Sequence, residues 1–332
     1  MTYQPIAQRR SSRWWIVIVL HLAALAGLVI AMARLDVEPW VSDRSVGPAV
    51  GLESVWLAQA FAIATLSGVG CLALIRRPYG STQRVRGSAV LILVVAGLAR
   101  IASVATTFLP ELSDDPWRYF HGGFVLTNAD NPYEHAPHEY GHVTGDVTSH
   151  SELVSIYQPT SMWSFAAAWS ANDLLVHRFR DTSVPNQHLA FALYTFPTFF
   201  CVIDLAIIVL LICILRLHGR SLWWATLYAW HPLAVTETAA SGHQDVIGIA
   251  LMLCSVACVW LLVVEKMRHA LSRKRLGAAV LAGITLAGAI GVKPVVAPLA
   301  ILYVWYLRRD VRAILLGAAA TIATLIALYL PF

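Results

Sequence analysis

The chain has 332 residues, of which 58% are hydrophobic and only 13% are charged, and its mean hydropathy is +0.64. A soluble domain of this length does not carry so much apolar sequence, so the composition predicts a multi-pass membrane protein. The net charge is +5, but the basic residues form short clusters between apolar runs, which indicates membrane topology and excludes nucleic-acid binding. All five cysteines lie inside apolar runs, so we expect neither a disulfide framework nor a Cys-ligated metal site.

Apolar runs of roughly 20 residues, the length that a helix needs to cross the hydrocarbon, recur along the chain. We predict an all-α, polytopic transmembrane helical bundle of about nine spans. The first two spans form an N-terminal pair within 1–86, and the first is a retained signal anchor because it lacks a small-residue cleavage site. The predicted spans are 14–33, 54–75, 87–109, 190–215, 221–239, 246–264, 277–292, 294–307 and 312–331. The spans 277–292 and 294–307 are short, so they could instead be broken or tilted helices rather than two full crossings.

The basic residues determine the predicted orientation. With the N-terminus in the cytoplasm, 17 of the 24 Lys and Arg residues fall on the cytoplasmic side, as the positive-inside rule requires. The opposite, extracytoplasmic side then carries the polar loop 110–189, the GHQD sequence at 242–245, and Lys293. We therefore expect a protein of the cytoplasmic membrane whose functional groups face outward. The cytoplasmic clusters lie at 9–13, 76–86, 216–220, 266–275 and 308–312.

The long loop contains a segment at 161–176 that is apolar enough to resemble a further span. If it crossed the membrane, every later loop would invert and the basic cluster at 266–275 would face outward. We therefore predict a juxtamembrane or re-entrant helix at the interface, where Trp163 and Trp169 suit the aromatic belt.

The segment best suited to chemistry is 112–137, LSDDPWRYFHGGFVLTNADNPYEHAP. Asp114 and Asp115 follow the predicted span 87–109 within a few residues, so a crossing helix delivers both carboxylates to the membrane surface. Pro116 discourages that helix from continuing past the pair. A carboxylate in such a position can serve as a general base, and the alternative interpretation is a solvated acidic loop cap.

The pattern DD-x-x-RY, then GG, then NPY, then Tyr-x-Pro at 157–159 resembles the first extracytoplasmic loop of membrane glycosyltransferases of the GT-C superfamily. It is most similar to the bacterial mannosyltransferases that depend on polyprenyl-phosphate mannose. The run 228–245, which ends in GHQD, resembles the second luminal acidic motif of these enzymes, and GVKPVVAP at 291–298 belongs to the same resemblance. The resemblance covers 87–332 and implies a GT-C-like catalytic module.

The resemblance implies an inverting transferase without a nucleotide-binding domain. Such an enzyme moves a sugar, with mannose favoured, from a polyprenyl-phosphate donor to a lipid, glycan or protein acceptor. An Asp would deprotonate the acceptor hydroxyl while basic groups hold the departing lipid phosphate. No cofactor is implied, and a divalent metal is compatible with this chemistry but not indicated.

The same resemblance assigns roles to individual residues. Aligning Arg118 and Tyr119 with the D-E-x-R-Y pattern of related aminosugar transferases favours Asp115 over Asp114 as the base. A guanidinium clamps phosphate in bidentate fashion, so Arg100 inside the third span is a candidate for the lipid phosphate, although it could instead pair with Asp204 or snorkel. The donor-binding candidates are Arg100, Arg118, Tyr119, His243, Asp245 and Lys293. The candidates for shaping the loop or the acceptor side are Asn131, Tyr133, Tyr157 and Glu237.

The chain departs from the family pattern in two places. Residues 121–123 read HGG where relatives often have an aromatic residue, Asp and Gly, so a carboxylate is missing and the sugar is not specified. The sequence also stops at LYLPF without a polar tail, which leads us to expect that the full protein continues.

Two other functional classes compete with this interpretation. HEYGH at 138–142 matches the H-E-x-x-H pattern of zinc peptidases, which requires both histidines on one helix with the Glu as base. Pro137 and Gly141 disfavour such a helix here. A transporter or flippase of a lipid-linked substrate is the other alternative, with Arg100 and Asp204 lining its path. The absence of an inverted repeat and the concentration of polar motifs on one side disfavour it.

The predicted topology can be tested by labelling. A single cysteine introduced by Asp146→Cys in an otherwise cysteine-free chain should react with a membrane-impermeant thiol reagent in intact cells, because the loop 110–189 is expected outside. Arg309→Cys, in a predicted cytoplasmic cluster, serves as the control that reacts only after lysis. Labelling of the Asp146→Cys chain only after lysis would overturn the orientation.

Overall fold

The computed structural model describes residues 82–106, 113–145, 147–148, 150–179, 187–265 and 273–332. Several predictions fall on other parts of the chain. The spans at 14–33 and 54–75, the basic clusters at 9–13 and 76–77, Lys266, Arg268 and the labelling position Asp146 lie outside the described residues.

The described residues form an all-helical protein in which no strand occurs. Proline marks several helix starts: Pro116 and Pro159 occupy the first turns of two helices, where the missing N–H costs no hydrogen bond. The main helices are α1 (Thr82–Thr106), α2 (Asp115–Thr127), α3 (Pro159–Arg178), α4 (Gln187–Leu217), α5 (Asp245–Glu265), α6 (Arg273–Ile290), α7 (Leu299–Leu307) and α8 (Val311–Tyr329). The predicted loop helix at 161–176 is confirmed as a helix by α3.

Four helices in the described part of the chain are long and apolar enough to cross a membrane, which indicates a membrane-associated protein. These candidate spans are Gly87–Ala105, Gln187–Leu217, Asp245–Val263 and Val311–Tyr329. Two further predicted spans, 277–292 and 294–307, form helices that are too short or too polar to count as candidate membrane spans. The 18 residues of α6 begin with Arg273, Lys274 and Arg275, and the apolar segment Pro294–Leu307 falls short of a bilayer crossing.

The predicted span 221–239 is wrong as a continuous helix. This region consists of short pieces: a 3₁₀ turn at Leu222–Ala225, single α turns at Thr226–Ala229 and Pro232–Val235, and a π turn at Thr236–Ala240. The break occurs because a residue before proline is disfavoured in the helical conformation, and His231 is accordingly extended at φ −69° and ψ 127°. Its Nδ1 atom accepts a hydrogen bond from the Leu233 N–H at 3.2 Å, which caps the new turn.

The chain divides into two compact units, one built from Met1–Glu111 and Leu211–Ala240 and the other from Leu112–Leu210 and Ser241–Phe332. In the first unit, the broken segment packs on α1. The buried Arg100 guanidinium donates to the carbonyls of Ala96 and Ala229 at 3.1 and 3.0 Å, and the Trp230 indole donates to the Ile92 carbonyl at 3.2 Å. The Ala229 carbonyl ends a short helical turn, so Arg100 supplies a donor there, while Ala96 and Ile92 lie inside α1.

In the second unit, α6 packs closely against both α5 and α8. A Cβ atom on Gly283 would lie 2.2 Å from the Gly317 carbonyl oxygen, so the α6 and α8 backbones approach in a way that only glycine allows. On the α5 side, the Ser255 hydroxyl donates to the Ala282 carbonyl at 2.8 Å. Small residues and one interhelical hydrogen bond are the usual means of association for apolar helices, which gain little from the hydrophobic effect within lipid.

Contacts at the two ends of α6 show which neighbour lies near each end. Arg275 at the start of α6 forms an ion pair with Asp310, which precedes α8, so these two helices begin together. After α6, the Gly291 carbonyl accepts a hydrogen bond from the Thr160 N–H at the start of α3 at 2.9 Å. The described part of one basic cluster, residues 273–275, and the cluster at 308–312 therefore lie at the same end of α6 and α8.

The contact of α2 with α3 is set by the glycine pair after His121. A Cβ atom on Gly123 would lie 2.4 Å from the Phe165 carbonyl oxygen, so the two helices touch backbone to backbone. Aromatic rings close the contact: Tyr119 stacks on Phe165 with centroids 4.4 Å apart, and Phe120 meets Trp169 edge to face at 4.6 Å. The HGG sequence thus positions α2 on α3.

We predict that Gly123→Ala destabilises the protein by about 1–3 kcal/mol, because the added methyl group meets backbone that cannot move aside. Gly277→Ala in α6 is the matched control, since no described atom lies within 4 Å of its added Cβ, and alanine favours the helix. Thermal unfolding of the detergent-purified proteins measures both. Equal stability of the Gly123→Ala protein and the wild type would contradict the close helix contact.

Candidate active site

The acidic pair lies at the start of α2, where its two members have different surroundings. Asp114 occupies the N-cap position and is exposed, and its side chain makes no capping hydrogen bond to the described backbone of α2. Asp115 is the first helical residue, and its side chain is only 35% exposed. The positive end of the helix dipole favours a carboxylate at both positions. Only Asp115, however, lies among other functional side chains.

Three side chains from three segments surround the Asp115 carboxylate. The Tyr119 hydroxyl, one turn later in α2, donates to Asp115 Oδ2 at 3.3 Å. His243 Nδ1 lies 3.6 Å from the same oxygen. The carboxylate also lies close enough to the Tyr157 hydroxyl to raise its pKa, and the Tyr119 and Tyr157 rings meet edge to face at 5.1 Å.

The two phenols are held in their protonated form. Burial raises the pKa of Tyr119 well above its ordinary value, and neighbouring Tyr157 and the negative charges of Asp115 and Asp245 raise it further. Burial likewise raises the pKa of Tyr157, followed by the charge of Asp115. Both hydroxyls therefore remain hydrogen-bond donors at neutral pH.

A tight turn brings His243 and Asp245 to this cluster. Gly242 has φ +63°, a left-handed conformation that glycine adopts without steric cost, and it directs the chain from Ser241 into α5. Asp245 is the first residue of α5 and forms an ion pair with Lys293, which follows α6. Lys293 is 52% exposed, so its ammonium group remains accessible to a solvent-borne or membrane-borne anion.

A network of hydrogen bonds to the backbone shapes the loop that carries Tyr157. The Arg118 guanidinium donates to the carbonyls of His150, Leu153 and Val154 at 3.0 to 3.1 Å. The Tyr133 hydroxyl donates to the Tyr157 carbonyl at 2.6 Å. The Asn131 side chain accepts from the Tyr133 N–H at 3.0 Å and so forms the NPY turn. These residues act on the loop rather than on the carboxylate.

The structure therefore sorts the predicted site residues into three groups. Asp115, Tyr119, Tyr157, His243, Asp245 and Lys293 form one connected cluster in the second unit. Asn131, Tyr133 and Arg118 form hydrogen bonds within the loop, and their predicted roles in catalysis or binding stay predictions. Arg100 and Glu237 belong to the first unit, so their predicted roles stay predictions.

Two residues that sequence reasoning did not select have buried polar atoms beside or near this cluster. Gln244 lies between His243 and Asp245, and its backbone N–H faces the Tyr119 hydroxyl. His121 is buried, with Nδ1 3.0 Å from the Thr144 hydroxyl, and burial lowers its pKa to about 4. The only sequence signal for either was its position inside a motif, GHQD or HGG.

The HEYGH segment does not adopt the helix of a zinc peptidase. Pro137–Val143 is a 3₁₀ helix that is interrupted at Gly141, where φ is 51° and ψ is −129°. Glu139 accepts from the Ala136 N–H at 2.8 Å and lies 2.9 Å from His135, so it closes a local turn. His138 Nδ1 lies 3.0 Å from the Ser151 carbonyl oxygen. Among the described residues, no group of three or more His, Cys, Asp or Glu side chains is arranged to hold a metal ion.

Comparison of the chain with protein-family models, with curated proteins and with solved structures found no match. The resemblance of its loops to GT-C enzymes therefore stays a prediction. The functional assignment depends on the residues of the cluster around Asp115 and on their geometry.

Burial of His121 predicts a pH-dependent stability. In the unfolded chain this imidazole binds a proton below about pH 6.5, whereas in the folded protein it does so only near pH 4. The unfolded state therefore binds more protons in this window, and folding stability falls as the pH drops from 6.5 toward 4, by about 1.4 kcal/mol per pH unit.

His121→Gln keeps a hydrogen-bonding group opposite Thr144 but does not titrate. Thermal unfolding of the wild type and this variant between pH 7 and pH 4.5 should show that the wild type loses stability faster on acidification. Parallel pH profiles for the two proteins would show that His121 is not buried in its neutral form.

Proposed function

We propose that this protein is an integral membrane glycosyltransferase of the GT-C type. It transfers a sugar, with mannose favoured, from a polyprenyl-phosphate donor to the hydroxyl of a lipid, glycan or protein acceptor, with inversion at the anomeric carbon. The enzyme lies in the cytoplasmic membrane with a cytoplasmic N-terminus, and the reaction takes place at the outer face. The proposal includes a multi-pass arrangement, of which four candidate spans lie among the described helices.

The cluster around Asp115 is the observation that best supports this proposal. A half-buried carboxylate that accepts hydrogen bonds but is not engaged by a lysine or arginine can take a proton from an incoming hydroxyl. Of the cationic groups in the described part of the chain, only the imidazole of His243 lies within 4 Å of Asp115. A structural salt bridge would instead pair such a carboxylate with a permanent cation.

In the proposed reaction, Asp115 removes the proton from the acceptor hydroxyl as its oxygen attacks the anomeric carbon of the donor sugar. The bond from that carbon to the lipid phosphate oxygen breaks, and the phosphate leaves with the electron pair. Tyr119 and Tyr157 hold the carboxylate in place through their hydroxyls. His243, beside the same oxygen, stabilises the charge of the carboxylate before the proton is transferred.

In the proposed reaction, the Asp245–Lys293 ion pair provides the group that binds the departing lipid phosphate. Lys293 is more than half exposed, so it can exchange a carboxylate partner for the phosphate of the donor lipid. Before the donor binds, Asp245 keeps the ammonium group of Lys293 in position. Because Asp245 also lies within electrostatic reach of Tyr119, the base side and the phosphate side belong to one continuous site.

The central test replaces each member of the acidic pair. Asp115→Asn should lower turnover by about 10²- to 10⁴-fold with little change in donor binding, because an amide keeps the shape but cannot accept the proton. Asp114→Asn, at the exposed neighbouring position, is the matched control and should have a much smaller effect. The measurement is transfer of radiolabelled sugar from polyprenyl-phosphate donors by the purified proteins.

Near-normal turnover of both variants would leave the acidic pair as a loop cap and remove the proposed base. Loss of activity only in Asp114→Asn would move the base by one residue and keep the reaction. If the wild type instead moved a lipid-linked sugar across vesicle membranes without transferring it, the flippase alternative would replace the transferase.

A further inference from the structure

Gln244 occupies a position in the site that no role has yet explained. Its side chain is only 3% exposed, although glutamine is usually found at protein surfaces. Its backbone N–H faces the hydroxyl of Tyr119, which in turn donates to Asp115 at 3.3 Å. Its neighbours in the chain are His243, beside the Asp115 carboxylate, and Asp245, the partner of Lys293. Gln244 thus lies between the base side and the phosphate side.

The amide oxygen of Gln244 is buried and has no hydrogen-bond partner among the described residues. A buried acceptor without a donor costs free energy, so such groups in folded proteins are nearly always satisfied by water or by a ligand. An amide oxygen only accepts hydrogen bonds. The group that completes it must therefore donate, which excludes a deprotonated phosphate or carboxylate and fits a hydroxyl.

A second buried oxygen lies beside the end of α6, in the same unit as Gln244. The Thr160 hydroxyl, at the start of α3, also has no partner in the described part of the chain. Thr160 is joined to α6 by the hydrogen bond from its N–H to the Gly291 carbonyl, two residues before Lys293. The end of α6 that leads into Lys293 therefore also lies beside a buried oxygen without a described donor, while Gln244 holds one directly before Asp245.

We propose that the Gln244 amide oxygen accepts a hydrogen bond from a hydroxyl of the donor sugar and so makes Gln244 a specificity-determining residue. The inference rests on the proposed function. The donor sugar is favoured over the acceptor because Gln244 directly precedes Asp245, and the sugar is covalently attached to the phosphate that Lys293 is proposed to hold. The hydrogen bond fixes the sugar with its anomeric carbon toward Asp115.

The experiment combines a residue change with changes in the substrate. Gln244→Met keeps a side chain of similar length but lacks the amide acceptor. The wild type and this variant are assayed with polyprenyl-phosphate mannose and with donors that each lack one sugar hydroxyl. If the wild type transfers another hexose instead, the deoxy forms of that hexose are used.

We expect the wild type to lose about 10- to 100-fold in kcat/KM with one of the deoxy donors, because the buried oxygen is then left unpaired. Gln244→Met should show a similar loss with the complete donor and no further loss with that same deoxy donor. Relative to the complete donor, each of the other deoxy donors should lower kcat/KM by the same factor in both proteins.

Asn172→Leu supplies the control for a purely structural effect. Its amide oxygen is also buried without a partner among the described residues, but it lies 12 residues after Thr160 in α3, about 18 Å along the helix. Asn172→Leu should change kcat/KM by the same factor with every donor.

If Gln244→Met changed kcat/KM by the same factor with all donors, as the control does, the assignment would be overturned. An unchanged kcat/KM of Gln244→Met with the complete donor would also overturn it. Absence of transfer by the wild type from any polyprenyl-phosphate hexose would overturn the proposed function together with the inference. Transfer without selective loss overturns the inference alone.

Discussion

The partial burial of the Asp115 carboxylate is the constraint on which the site depends. A carboxylate drawn away from water needs hydrogen-bond donors or nearby positive charge to stay ionised. Here α2 supplies Tyr119, the shaped loop supplies Tyr157, and the turn before α5 supplies His243. None of these groups is a permanent cation, so the carboxylate is positioned without being neutralised. This arrangement requires that three separate segments meet at one place.

That meeting point is made by close backbone contacts. Gly123 lets α2 lie directly on α3, and Gly291 lets the end of α6 reach the first turn of α3, where an added Cβ would lie 2.3 Å from the Thr160 hydroxyl. A side chain at position 123 would meet the Phe165 backbone and separate α2 from α3, and one at position 291 would displace the Thr160 hydroxyl. The glycines of the HGG and GVKP sequences therefore affect the candidate site through the spacing of the helices, because tightly packed interiors adjust little.

Apolar run length predicted α1, α4, α5 and α8 because a long apolar helix has few alternatives. The same criterion wrongly predicted a continuous helix at 221–239. The run is apolar, but Pro232 forces the preceding residue, His231, out of the helical conformation. At the site, the acidic pair and the GHQD motif could be found from the sequence. The loop-shaping contacts of Arg118 and the burial of Gln244 could not, since both arise from residues distant in sequence that only the folded chain brings together.

The contrast between Asp114 and Asp115 shows how one helix start can separate two identical side chains. Successive residues of an α-helix point about 100° apart, so the N-cap residue and the first helical residue cannot face the same surroundings. Pro116 fixes where the helix begins and thus decides which carboxylate turns toward the α5 start and which remains in water. Asp114 is exposed, while Asp115 has the two phenols and His243 as neighbours. The two members of the acidic pair are accordingly distinguished by their surroundings, which follow from where the helix begins.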